Sequence, residues 1–218
     1  MSALLRDIWR SIQGMLPGAG SPQLEPRWVV VDVETTGLDA QTDSLLAIGA
    51  VALRQEGIDP ADSFEAVLRP PAVSSRENIL IHRIGSQQQA AGEPAEVACE
   101  RFLAFVGNSP LVGYHLSFDE AFLSRAMRAA GLTVPRRWLD LAKLAPALHP
   151  TAQARSLDEW LALVEISVAE RHSAVSDALA TAMLFQWLLA STKPSERHFK
   201  ALKRLARSAR WVAPANRR

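Results

Sequence analysis

From Trp28 the chain runs Trp-Val-Val-Val-Asp-Val-Glu-Thr-Thr-Gly-Leu as far as Leu38. This run, rich in β-branched apolar residues, predicts a buried strand ended by Thr35-Thr36-Gly37. After a polar connection, a second apolar run, Leu45-Leu46-Ala47-Ile48-Gly49-Ala50-Val51, predicts a strand over Ser44 to Leu53. Beyond the Gln55-Glu56-Gly57 turn region, Phe64 to Arg69 has mixed faces and stops at Pro70-Pro71, as an edge strand does. Three consecutive strands with short links predict an antiparallel meander.

The period then becomes helical. Helices are predicted from Glu96 to Val106 and from Ser117 to Ala130, the latter closed by Gly131, with a short strand at Leu111-Val112-Gly113-Tyr114 between them. A strand at Arg137-Trp138-Leu139-Asp140 follows, then helices over Leu141 to Leu148, Ser156 to Val164 and Ser173 to Leu189. A meander followed by alternating strands and helices describes an α/β fold, a mixed sheet with helices on its faces. No internal repeat or low-complexity tract interrupts it.

Two segments flank this body. Leu4, Leu5, Ile8, Trp9, Ile12, Met15 and Leu16 form one helical stripe, followed by the linker Pro17-Gly18-Ala19-Gly20-Ser21-Pro22. Such a helix packs on its own domain or serves a partner or membrane surface. From Ser195 to Arg210, Lys200, Lys203, Arg204, Arg207 and Arg210 recur at helical spacing opposite Phe199, Leu202, Leu205 and Ala206. That cationic face either tracks phosphates or is a solvated face balancing an acidic body. The expected division is 1–26 helix and linker, 27–192 folded domain, and 193–218 basic helix and tail.

Charge sharpens the contrast. The whole chain is +1, and residues 193–218 carry nine Lys/Arg against Glu196 alone; at +8 they leave the rest at −7. An acidic body suits a cation and a basic end suits a polyanion. The 48% hydrophobic content is ample for a core. The single Cys99 has no nearby Cys or His, which excludes a disulfide or thiolate metal site for it. Charges break the N-terminus before a secretory apolar region develops, and no apolar run approaches membrane-spanning length, so a cytoplasmic location is expected.

The first strand carries the candidate chemistry. Asp32 and Glu34 are two apart and point to the same face, so their charges lie close together at the strand end. Two such carboxylates raise each other's pKa unless a cation neutralises them, and oxygen-only ligands suit Mg²⁺ or Mn²⁺. Taken alone, the pair is equally compatible with strand-end acids in solvent. Ser117-Phe118-Asp119-Glu120 reads as a capping box with Ser117 as N-cap, and Asp119 there can simply favour the helix dipole. His172 and Asp177 are five apart, too far round a continuous helix to share a site. They converge if His172 precedes the helix, Ser173 caps it and Asp177 projects from its first turns.

In order, Asp32-x-Glu34-Thr35-Thr36-Gly37-Leu38, Phe118-Asp119 and His172-x-x-x-x-Asp177-Ala178 resemble the DEDDh, or DnaQ-like, group of 3′→5′ exonucleases. The resemblance covers roughly residues 28 to 190. It implies an RNase H-like fold with a five-stranded mixed sheet flanked by helices, and two divalent ions, Mg²⁺ or Mn²⁺. By position, it makes Asp32 the bridge between them, Glu34 and Asp177 ligands of the ion holding the attacking water, Asp119 a ligand of the second, and His172 the general base. It places Thr35 and Leu38 against the 3′-terminal nucleotide, with Thr36, Gly37, His115 and Phe118 in the same substrate-binding set.

This sequence departs from the family pattern at Val33, Ala47, Tyr114-His115 and Arg83-Ile84-Gly85, none of which is a metal ligand. His115 there serves catalysis or simply hydrogen-bonds to backbone. The expected activity is release of nucleoside 5′-monophosphates from single-stranded 3′ ends, DNA favoured over RNA. The alternatives are trimming of short RNA and a non-catalytic nucleic-acid-binding scaffold. A polymerase or other protein is a candidate partner for the N-terminal helix or the basic tail.

Overall fold

A computed structural model describes residues 25–168 and 173–208. The predicted N-terminal helix and linker, and the tail beyond residue 208, lie outside the described residues. The meander comprises β1 (Arg27–Thr35), β2 (Leu45–Arg54) and β3 (Gly57–Val67). There follow α1 (Arg76–His82), α2 (Ser86–Ala91), α3 (Ala95–Val106), β4 (Leu111–Gly113), α4 (Ser117–Ala129) and β5 (Trp138–Asp140). The chain continues through α5 (Leu141–Leu148), α6 (Leu157–Leu163), α7 (Ala174–Ala190) and α8 (Phe199–Ser208). One five-stranded sheet runs in the order β3-β2-β1-β4-β5. β1, β2 and β3 pair antiparallel, and β4 and β5 run parallel to β1, which is the RNase H-like arrangement.

β1 sits at the centre with both faces covered, which is why its sequence is a near-continuous apolar run rather than an alternation. Val29, Val31 and Val33 face Phe102 of α3 and Phe122 and Leu123 of α4. Trp28 and Val30 face Leu144 of α5, Trp160 of α6, Phe185 of α7 and Leu202 of α8. Asp32 and Glu34 continue the second face beyond the apolar packing.

Three expectations need correction. β3 starts at Gly57 rather than near Phe64; residues 59 to 61 are exposed, and Pro60 is tolerated because the strand is at the sheet's edge. Ser117 is not an N-cap. His115 takes a left-handed φ of 55° and Leu116 is buried, so the chain turns into α4 one residue early and Leu116 occupies the cap position without a side-chain bond. The third is that α1 and α2 occupy a stretch where no helix is expected from the sequence. They are tied together by a buried network: the Gln89 side-chain amide donates to Ser74 Oγ at 2.7 Å and to the Ile84 carbonyl at 2.8 Å. His82 Nδ1 accepts from the Ile84 N–H at 3.0 Å, which leaves Nε2 facing Ser74 Oγ at 3.3 Å.

Candidate active site

The carboxyl ends of the three parallel strands open at the same edge, the place where open α/β sheets present ligand sites. Asp32 and Glu34 reach it from β1. Asp177 reaches it from α7, whose first turn begins after Ser173 as expected, with the Asp177 N–H donating to the Ser173 carbonyl at 2.9 Å. A glycine makes this crossing possible. Gly49 of β2 is the register partner of Asp32, and a Cβ at Gly49 would lie 2.1 Å from the Ala174 carbonyl carbon and 2.2 Å from the Val175 nitrogen. The bare strand lets the start of α7 lie directly on the sheet and brings Asp177 over the β1 acids.

Carboxylate oxygens of Asp32, Glu34 and Asp177 all lie within 4.8 Å of one another. Burial, and after it the negative charge of Asp177, pushes the Glu34 carboxyl up from 4.5 to about 7. Three acids at this spacing repel one another, and the donor set is oxygen only. The cluster therefore fits a hard divalent cation, which removes the repulsion and takes oxygen ligands.

Asp119 stands beside this trio rather than in it. β4 pairs with β1 only at Val29 and Val30, so β1 runs on without that neighbour. The backbone N–H of Val33 is satisfied instead by Asp119 Oδ1 at 3.1 Å. Burial pushes the Asp119 carboxyl upward, its own and Val33's backbone hydrogen bonds oppose this, and the charges of Asp140 and Glu34 add to the rise. Asp140, at the end of β5, is a neighbour the motifs do not reveal. It caps α5 through the Ala142 N–H at 3.1 Å and pairs with Lys143 at 2.9 Å. Its signal in the sequence is the one Asp32 carries, an acid ending an apolar strand.

The remaining predicted residues surround the acids. Thr35 is buried and its hydroxyl donates to the Gly37 carbonyl at 2.6 Å, while the Ser44 N–H donates to Thr36 Oγ1 at 2.9 Å. At Gly37 the Asp43 carboxylate occupies the place of a Cβ, at 2.4 Å. This tight turn leaves Leu38 projecting, 87% exposed. Sequence reasoning misses Asn78 of α1, whose side-chain amide donates to the Thr35 carbonyl at 3.2 Å and fastens the turn from the other side. Phe118 packs on Phe122 with ring centres 4.8 Å apart. His115 is exposed and meets Tyr114 edge to face at 4.9 Å. His172 lies outside the described residues.

A mixed sheet in this strand order, with acids from β1 and α7 gathered at the end of its central strand and Asp119 of α4 beside them, is the arrangement of the RNase H-like exonucleases. Residues 29–185 match the model of the RNase T exonuclease family, and the chain belongs to that family. It is 30% identical over 171 residues to the PolC-type DNA polymerase III of Caldanaerobacter subterraneus subsp. tengcongensis, covering 78% of this chain but 12% of that protein. It is equally 30% identical to the PolC-type DNA polymerase III of Clostridium perfringens over 185 residues, covering 81% of this chain and 13% of that one. The chain thus spans only a small part of these relatives' length.

Among solved structures, the nuclease domain of 3′hExo, a DEDDh family member, bound to rAMP superposes with a TM-score of 0.68 at 15% identity, covering 78% of this chain and 94% of that one. E. coli exonuclease I in complex with a dT13 oligonucleotide gives 0.62 at 17% identity, covering 74% and 40%. Among the described residues no helix is long and apolar enough to cross a membrane.

Proposed function

We propose that the chain is a metal-dependent 3′→5′ exonuclease acting on single-stranded ends and favouring DNA, and that it works in the cytoplasm. The observation that carries this reading is the trio of Asp32, Glu34 and Asp177 within 4.8 Å at the end of the central strand. The relatives supporting DNA are polymerases. Asp32, Glu34 and Asp177 would hold one Mg²⁺ or Mn²⁺, and Asp32 with Asp119 a second. When bound, the two ions acidify the attacking water and stabilise the leaving 3′ oxygen.

This chain's own residues do the rest. His172 takes the proton of the water, imidazole being the side chain suited to proton transfer near neutral pH. The Thr35–Leu38 turn, held by its own hydroxyl contacts and by Asn78, receives the 3′-terminal nucleotide, with Leu38 projecting as a wedge and His115 and Phe118 lining the approach. Residues 27–192 form the catalytic domain, and 1–26 or 193–218 docks it on a polymerase or another protein.

The test compares matched single-stranded DNA and RNA oligonucleotides with the unsubstituted chain and with His172→Ala. DNA is expected to be shortened faster, and His172→Ala to lower kcat by about 10²- to 10³-fold with KM little changed. Faster loss of RNA would overturn the DNA preference. A raised KM with turnover intact would overturn the base role.

A further inference from the structure

The acidic site faces a substrate that is itself a polyanion, and the body outside residues 193–218 carries net negative charge. Side-chain cations near the acids would add to any bound metal in favouring the approach of phosphates. α8 lies against β5 and α5, with Leu202 and Ala206 buried beside Leu139 and Leu144, so it covers the edge of the sheet nearest Asp119. Its outward face carries Lys200, Arg204 and Arg207, Lys203 lies half-buried at the flank, and the helix contains no acid.

The ridge is anchored beside the active site. Lys203 Nζ donates to the carbonyl of Trp138 on β5. Its charged neighbours are Arg207 of the same helix, Lys143 and Asp140 at the head of α5, and Glu120 in the first turn of α4. Glu120 adjoins Asp119 in the chain, and Asp140 is an electrostatic neighbour of Asp119. The cations therefore begin where the acids end. Lys143 is paired with Asp140, but Lys200, Arg204 and Arg207 make no ion pair with any described residue. These three charges are thus not spent on the carboxylates of the described body.

Resting on the function proposed above, we infer that the Lys200, Arg204 and Arg207 face of α8, anchored through Lys203, binds the sugar-phosphate backbone of the substrate strand upstream of the bond being cut. Its contacts are to phosphates, so they carry no sequence preference and weaken with salt.

The test uses the full chain with Lys200→Gln, Arg204→Gln and Arg207→Gln combined. Binding of a single-stranded oligonucleotide of about a dozen nucleotides is titrated against salt in EDTA, so that no cleavage is required. Removing three phosphate contacts should reduce the slope of log affinity against log salt by about 2. In the presence of Mg²⁺ or Mn²⁺, KM for the oligonucleotide should rise about tenfold relative to KM for a p-nitrophenyl ester of a nucleoside 5′-monophosphate, which reaches only the acidic site.

An unchanged slope and an unchanged ratio would overturn the ridge. So would an equal loss on neutralising Arg54, Arg101 and Arg128, exposed cations of β2, α3 and α4, because net charge alone would then explain the effect. If the unsubstituted chain hydrolyses neither substrate, the proposed reaction falls, while the slope in EDTA still decides whether α8 binds the strand.

Discussion

Replacing Glu34 by Gln is expected to reduce hydrolysis of a single-stranded oligonucleotide by about 10³-fold while raising the melting temperature of the metal-free protein at pH 8. The first effect follows from losing a carboxylate that would hold an ion. The second follows from repulsion. Burial and Asp177 raise the Glu34 carboxyl to about 7 from its ordinary 4.5, so the folded chain keeps a proton that the unfolded chain releases between those values. In EDTA this contribution to stability is full below about pH 4.5 and declines as pH rises through about 7. Gln carries no charge at any pH, so Glu34→Gln should flatten that decline, and Asp119, whose carboxyl is also raised, should account for what remains.

Added Mg²⁺ or Mn²⁺ should stabilise the unsubstituted protein most at pH 8, where the acids are ionised. Melting curves at pH 5 and 8, with and without metal, check both statements. Retained turnover in Glu34→Gln, or a pH slope identical to that of the unsubstituted protein, would refute the reading of the cluster.

Gly49→Ala should be the most damaging single methyl in the domain. The added carbon meets backbone of Ala174 and Val175 at 2.1 and 2.2 Å, and neither atom can rotate away. Either β2 or the start of α7 must move, at a cost of about 3 kcal/mol or more. α7 also carries Asp177, so any surviving folded protein should lose about 100-fold in turnover for each ångström by which that carboxylate is displaced. Denaturant melts and turnover per folded molecule separate the two effects. Normal stability with normal turnover would show that α7 does not rest on Gly49.

Much of the fold and of the acidic cluster is legible in the amino-acid sequence. The run from Trp28 to Glu34 announces a buried strand with two acids on one face, whereas Gly49 reads only as part of an apolar strand until the structure lays Ala174 and Val175 against it. What escapes is set by tertiary contacts. α1 and α2 are only seven and six residues long, and Leu80 and Ile81 of α1 face solvent, so no apolar period marks them. Ser74, His82 and Gln89 hold them through side-chain bonds that spacing does not reveal. Ser117 looks like a cap because the pattern of types is right, but burial of Leu116 fixes the turn one residue earlier. The seat of Asp119 on the Val33 amide depends on where β4 stops pairing, and Asp140 enters the site only because β5 is placed next to β4.

The central claim is that the acids at the end of β1 cut nucleic acid from its 3′ end with a divalent ion. Its most direct measurement is the degradation of a 5′-labelled single-stranded DNA oligonucleotide by the unsubstituted chain and by Asp32→Ala, with Mg²⁺ or Mn²⁺ and with EDTA. The expected result is a ladder that shortens from the 3′ end, releases nucleoside 5′-monophosphates, and vanishes both in EDTA and in the variant. A ladder that persists in EDTA or in Asp32→Ala, or immediate release of the labelled 5′ nucleotide, would contradict it.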